Sequence, residues 1–276
     1  MKPKRLLLSG IVLLLLSAGT ALAQVTISPT AVFLEKSSGV GSFYVSNPAN
    51  EPVEVRLSFE FAYPQTDENG NVTLNYDDGE AEERYSLQEW LRAFPTTFVL
   101  QPGQRQTVRL VGRPPGNLED GIYWTRMRVS SNMVTPPIGE ETEGVTARVA
   151  FQVDQITAVL LEVGSPNTGL QIHSVSAETN NDQLMIFTDV ERTGSAPFLG
   201  SATVRIYNSN DQLVQEQNSS TSVYFRNHHR SEFQATDLGA GTYRAEVTFE
   251  SSRSDISSRN LIQMPPVSHS TTFEIE

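Results

Sequence analysis

The chain has 276 residues, with 20 Lys and Arg against 32 Asp and Glu, and it contains no cysteine. This length accommodates two domains of ordinary size, each with its own hydrophobic core. The lack of cysteine excludes disulfide frameworks, thiol catalysis and Cys-based metal sites. The net charge of −12 disfavours nucleic acid as a partner, because phosphate binding requires a basic patch and the arginines are scattered among predicted strands.

Residues 1–23 have the pattern of a cleaved signal peptide. Three basic residues precede an apolar run at 6–16, and the small-x-small site Ala21-Leu22-Ala23 comes before Gln24. The run is too short for a bilayer span, and no later stretch is apolar enough for stable membrane insertion. The sequence therefore predicts an exported protein, periplasmic in the first instance and secreted as the second choice.

The predicted first domain, residues 24–163, begins with short apolar alternations separated by turn residues, as in antiparallel strands. Pro29 interrupts the first strand, which is expected to split or change sheets there. The segment Asp67–Asn71 is a predicted hairpin turn. Its oxygen-bearing side chains allow a calcium interpretation, but the glycine position does not fit an EF-hand loop.

Three further segments follow the hairpin. Asp77–Glu83 is predicted to be a solvated acidic loop. Ser86-Leu87-Gln88-Glu89 is a capping-box pattern that predicts a single helical turn. Gln101-Pro102-Gly103-Gln104 predicts a type II turn between two strands.

The stretch 145–163 contains no Gly or Pro and is rich in Val and Ile, which is typical of a long strand. Period-two alternation places one apolar row on a single face, and an exposed edge there would be a template for an extended partner chain. The row consists of Val145, Ala147, Val149, Phe151 and Val153. The break at 164–169 predicts a joint between two domains.

The segments SPTAVFLEKSSGVGSFYVSN, FVLQPGQRQTVRL and LEDGIYWTRMRV, followed by the long strand, resemble the N-terminal domain of PapD-like periplasmic pilus-assembly chaperones. The resemblance covers residues 25–163. It implies an immunoglobulin-like sandwich whose last strand pairs with an extended strand of an exported subunit, with an outer-membrane usher as a further partner.

In that family an arginine and a lysine in the interdomain cleft hold the client's terminal carboxylate. The corresponding positions here are Thr30 and Thr157, which are uncharged, and Arg126 stands where the family usually has Asn. Arg126, Arg128 or Arg148 are candidates to replace the missing basic pair, although an arginine in a strand more often lies on the solvent face.

The predicted second domain, residues 168–276, contains eight short β segments separated by turns and indicates a second immunoglobulin-like sandwich. One of these segments is VYFRN, at 223–227. Ser251–Pro266 lacks periodicity and is predicted to be a long mobile loop or an interaction segment. The fold class is thus all-β, with two sandwiches after the signal peptide.

The sequence offers no catalytic pattern, cofactor motif or metal-ligand spacing, and the protein is predicted not to be an enzyme. His228 and His229 are adjacent, so in a strand they would face opposite sides. Two hypotheses remain. One is a chaperone that binds client strands by β-augmentation, and the other is a secreted immunoglobulin-like structural or adhesive module.

Overall fold

The structure is a computed structural model that describes residues 25–133, 152–180 and 182–275. The predicted signal peptide lies outside these residues. The described chain is all-β with one short α-helix, and none of its helices is long and apolar enough to cross a membrane.

The first half contains β1 (Thr26–Ser28), β2 (Ala31–Leu34), β3 (Val40–Ser46), β4 (Val53–Glu60), β5 (Tyr63–Thr66), β6 (Val72–Asn75), α1 (Gly79–Tyr85), β7 (Leu91–Phe94), β8 (Thr97–Leu100), β9 (Arg105–Gly112), β10 (Gly121–Met133) and β11 (Gln152–Val163). The second half contains β12 (Thr168–Asn180), β13 (Gln183–Gly194), β14 (Phe198–Asn208), β15 (Leu213–Val223), β16 (Arg226–Gln234), β17 (Gly241–Glu250) and β18 (Val267–Ile275).

Two sheets of the first half pack face to face as a sandwich. Their strand orders are β1-β3-β9-β7 and β2-β11-β10-β4-β8. The predicted change of sheet at Pro29 is confirmed, because β1 pairs with β3 in one sheet and β2 runs parallel to β11 in the other. Proline has no N–H to continue a ladder, so it suits the point where the chain leaves one sheet for the other.

The second half forms another sandwich, with strand orders β12-β13-β16 and β15-β14-β17-β18. It has a separate hydrophobic core built from both of its sheets, centred on Phe198 and Phe249. His228 and His229 lie in β16 and face opposite sides as predicted: His228 stacks on Phe187, and His229 meets the Phe249 ring.

One prediction for the first half is wrong, and another is confirmed in part. The acidic segment predicted to be a solvated loop forms α1, because the Asp78 carboxylate caps the helix through the Ala81 N–H and Ala81 is buried. The single helical turn predicted from 86–89 is present as a 3-10 turn at Gln88–Trp90, and it is followed by the buried Leu91. The predicted capping box is wrong, because this turn has no side-chain cap. The positive φ of Gly103, at 72°, agrees with the predicted type II turn.

One prediction for the second half is wrong, and one alternative of another is excluded. The predicted strand VYFRN is a corner: β15 ends at Val223, and Tyr224 and Phe225 turn towards the first sandwich before β16 begins. Of the two alternatives for the segment 251–266, the mobile loop is wrong, because Ile256, Leu261 and Met264 are buried and hold the segment against the rest of the molecule. The interaction segment stays a prediction.

Candidate functional site

The two halves of β11 have different neighbours. Residues 158–161 lie between β10 and β2, whereas residues 152–157 pair only with β10 among the described strands. The predicted edge residue Val153 lies in this first half, opposite Ser131, and is half-buried. The other predicted edge residues, Val145, Ala147, Val149 and Phe151, lie outside the described residues.

Among the described residues, side chains of β11 rather than a neighbouring strand hold residues 25–30 beside this edge. The Gln155 amide donates to the Val25 carbonyl at 2.8 Å, and the Thr157 hydroxyl donates to the Thr30 carbonyl at 3.0 Å. Thr30 and Thr157, the uncharged residues at the positions of the family's basic pair, are therefore direct neighbours. Their contact tethers the chain between β1 and β2 to β11.

Where this edge ends, a cavity of about 200 Å³ opens between the two sandwiches. Thr30, Arg126 and Ile156 of the first sandwich line it, together with Tyr224 and Arg253 of the second. The cavity brings two of the predicted cleft residues, Thr30 and Arg126, together, while Thr157 hydrogen-bonds at its margin and Arg148 lies outside the described residues.

Arg126 is the least expected feature of the cleft. It is only 8% exposed, which contradicts the expectation that a strand arginine faces solvent. Its Nε donates to the Ala62 carbonyl at 3.1 Å, and its guanidinium lies 5.4 Å from the centre of the Tyr224 ring. No carboxylate lies within 4 Å of it in the part of the chain that the structure describes. A buried cation without a counter-ion is costly and is suited to receive an anion.

The other two arginines near the cleft are already neutralised. Arg253 makes a bidentate pair with Asp255, at 2.9 and 2.6 Å, and donates to the Ser222 hydroxyl. Arg128 lies between the carboxylates of Glu60 and Asp154, which raise its pKa above the usual value. Arg128 is therefore a poor replacement for the missing basic pair.

The relative position of the sandwiches is set by an aromatic cluster behind the cleft. Trp124, fully buried, stacks on Phe61 and Tyr85 of the first sandwich. Tyr224 meets its face edge-on, with ring centroids 4.8 Å apart, and Phe225 lies beside it. Contacts of this kind are worth about 0.5–1.5 kcal/mol each beyond burial, so the cleft is preformed by the packing of the two halves.

A second contact between the sandwiches is made by the β5–β6 hairpin, which reaches across to β16. The Thr66 hydroxyl accepts a hydrogen bond from the His228 backbone N–H at 2.5 Å, and the Arg230 guanidinium donates to the Asn69 carbonyl at 2.7 Å. Gly70 lies against Arg230 with a φ of 74°. We call residues 63–75 the strap.

Sequence reasoning missed Arg253, Asp255 and Tyr224 as cleft residues. They lie in segments that were predicted to be a strand and a loop of the second domain, far along the chain from the first-sandwich residues that they approach. The Tyr-Phe pair at 224–225 was the available signal, because two adjacent aromatic residues in a strand would place one of them in solvent.

No protein-family model matches the chain, and no curated protein matches its sequence. Solved structures that are similar over most of the chain include chaperones and complexes of chaperones with a pilin or a tip subunit. One is the complex of the SafA pilin with the SafB chaperone from Salmonella enterica (12% identity, 93% of this chain and 98% of that chain, TM-score 0.43). Another is the CupB2 chaperone of Pseudomonas aeruginosa (11% identity, 89% of this chain and 98% of that chain, TM-score 0.41). A third is the E. coli chaperone DraB (12% identity, 91% of this chain and 95% of that chain, TM-score 0.42).

The chain is thus similar to PapD-like pilus chaperones in its sequence motifs and in structure comparison. At these identities and scores the likeness concerns the fold only.

Proposed function

We propose that this protein is a periplasmic chaperone that binds an extended strand of an exported client subunit along the free edge of β11. The proposal rests on one observation: the unpaired edge of β11 leads directly into the cleft between the sandwiches. Residues 152–157 have no strand on their second edge among the described residues, and this edge ends at the cleft that holds Arg126.

The edge supplies affinity without sequence specificity. Alternate residues of a strand present both N–H and C=O to the open side, so six residues offer about six hydrogen bonds to an added strand. At a net contribution of about 0.5–1.5 kcal/mol each, they provide several kcal/mol. Half-buried apolar side chains such as Val153 and Ile156 add contacts that select for apolar client residues.

Arg126 supplies the anchor for the strand's end in this proposal. Its uncompensated guanidinium opens onto the cleft, and a carboxylate in that cavity would form a charge-assisted pair in a site largely removed from water. Thr30 and Thr157 then have a positioning role: they fix the adjacent backbone and do not hold the anion.

The test compares two forms of one client peptide, with a free C-terminal carboxylate and with a C-terminal amide. The wild-type protein should bind the acid about tenfold more tightly, and Arg126→Met should bind both forms equally. Arg128→Met is the matched control, since Arg128 lies two residues away on the same strand and is already paired. Equal loss of preference in both variants would exclude Arg126 as the anchor.

A second assay separates the chaperone from a secreted structural or adhesive module. An aggregation-prone β subunit that lacks its last strand should remain in solution with the wild-type protein and scatter light without it. Phe151→Asp, checked first for folding by circular dichroism, should lose this protection. If the wild-type protein leaves aggregation unchanged, the module hypothesis is preferred. An outer-membrane usher remains a proposed further partner, to be tested by co-purification.

A further inference from the structure

Outside the cleft, the outer face of the sheet β1-β3-β9-β7 carries a row of exposed arginines. Alternation along β9 directs Arg105 and Arg109 outwards, and Arg113 continues the same row beyond the strand. On the neighbouring strand β7, Arg92 points to the same side, directly opposite Val111. We call these four residues the arginine face.

The charges of the arginine face are not compensated within the chain. None of these four residues has a carboxylate within 4 Å in the described residues 25–133, 152–180 and 182–275. In contrast, Arg205 and Arg244 on the strands of the second sandwich pair with acids at 2.5 and 2.8 Å. The four strands of the first sheet contain no Asp or Glu, although the chain has 32 acidic residues.

Aromatic side chains lie between the arginines. Phe94 is directly opposite Arg109 and is 62% exposed, which is unusual for so large an apolar side chain. The Arg105 guanidinium lies 3.4 Å from the centre of the Tyr44 ring. Arg92 is oriented by hydrogen bonds to the Glu89 and Leu91 carbonyls, at 2.9 and 2.7 Å.

A groove of about 410 Å³ marks one end of this face. It is lined by Glu89, Trp90, Arg92, Phe94, Val111 and Arg113. The apolar side chains of this lining fit an aromatic or aliphatic group, and its two arginines fit a carboxylate beside that group.

We propose that the arginine face docks an acidic segment of a partner polypeptide whose acidic residues alternate with large apolar ones. Charge complementarity favours an acidic segment as the ligand, because a short segment contacts the arginine face without contacting the acidic surface around it. A nucleic acid or an anionic membrane would extend beyond one sheet face and meet the rest of a protein with net charge −12. The proposal is independent of the β11 edge, which belongs to the other sheet of the sandwich.

The test uses a peptide of alternating aspartate and phenylalanine, titrated into the full chain by calorimetry. The double variant Arg109→Gln, Arg113→Gln should bind it about tenfold more weakly. Phe94→Ser should weaken binding severalfold without changing its salt dependence. The control is Arg259→Gln, since Arg259 is also exposed and has no carboxylate within 4 Å among the described residues but lies in the second half of the chain.

Binding of this peptide that weakens between about 50 and about 300 mM salt would support the proposal. An asparagine–phenylalanine peptide that binds equally well would overturn it, as would an equal loss with Arg259→Gln. Single-stranded DNA or phosphatidylglycerol vesicles that bind through the same arginines when the peptide does not would also overturn it. So would a dimer in sedimentation that the double variant dissociates, because the occupant would then be a second copy.

Discussion

Gly70, at the tip of the strap, offers a direct test of how the sandwiches are held together. A Cβ added there would lie 2.5 Å from the Arg230 Cβ and 3.0 Å from the His228 carbonyl oxygen. Neither contact is with the free end of a flexible side chain, so the strap has to lift from β16. We therefore expect Gly70→Ala to weaken the contact between the two halves of the molecule.

The magnitude follows from two contributions. An alanine held at a φ of 74° costs about 1–2 kcal/mol in backbone strain. Lifting the strap also loses the hydrogen bonds of Thr66 and Asn69 to β16, at about 1 kcal/mol each. The total reduction in the free energy of unfolding is about 3–4 kcal/mol.

Gly103→Ala is the matched control. Gly103 has nearly the same φ, 72°, but no atom within 4 Å of the added Cβ, so its substitution isolates the backbone strain. Urea unfolding followed by tryptophan fluorescence measures both variants, and Trp124 reports on the interface itself. Equal losses of stability in the two variants, within about 0.5 kcal/mol, would refute a strap that holds the sandwiches together.

Two further predictions concern pH. Burial lowers the pKa of His229 to about 4, so between pH of about 6.5 and about 4 the unfolded chain binds a proton at this residue and the folded chain does not. The free energy of unfolding should therefore fall by about 3 kcal/mol over this range. In melting experiments at different pH values, His229→Leu should remove this dependence. Burial and the hydrogen bond to Asp78 raise the pKa of Tyr63 to about 12. Because the unfolded chain loses the Tyr63 proton above pH of about 10, the fold should lose stability as the pH rises above that value. Asp78→Asn should lower the pKa of Tyr63, as measured by ultraviolet titration of the phenol.

Features set by local chemistry could be predicted from the sequence. Pro29 ends one pairing because it lacks an N–H, and glycine provides the positive φ at both predicted turns. The helix α1 was missed for a related reason. Its seven residues carry too few apolar positions to show a helical period, so only the capping Asp78 and the buried Ala81 indicated it.

The cleft could be predicted only in part. Thr30, Thr157 and Arg126 follow from the resemblance to PapD-like chaperones, but Arg253 and Tyr224 reach the cavity only through the packing of the second sandwich on the first. The arginine face is an intermediate case. Arg105 and Arg109 share a face by alternation, but placing Arg92 beside them requires the pairing of β7 with β9, which the sequence does not specify.

Substitution of Arg126 can distinguish a role in binding the client's carboxylate from a role in stabilising the fold. In the free protein its guanidinium is buried without a carboxylate within 4 Å among the described residues, so its desolvation is offset only by the Ala62 carbonyl and the Tyr224 ring. Methionine fills similar space without a charge. Replacing even a buried ion pair by apolar residues is often neutral or stabilising by about 1–4 kcal/mol, and Arg126 has no carboxylate partner to lose. Arg126→Met should therefore unfold at the same or higher urea concentration while it loses its preference for the client's carboxylate. A variant destabilised by more than about 1 kcal/mol would show instead that Arg126 serves the packing of the two sandwiches, because a residue kept for binding is expected to cost stability when unoccupied.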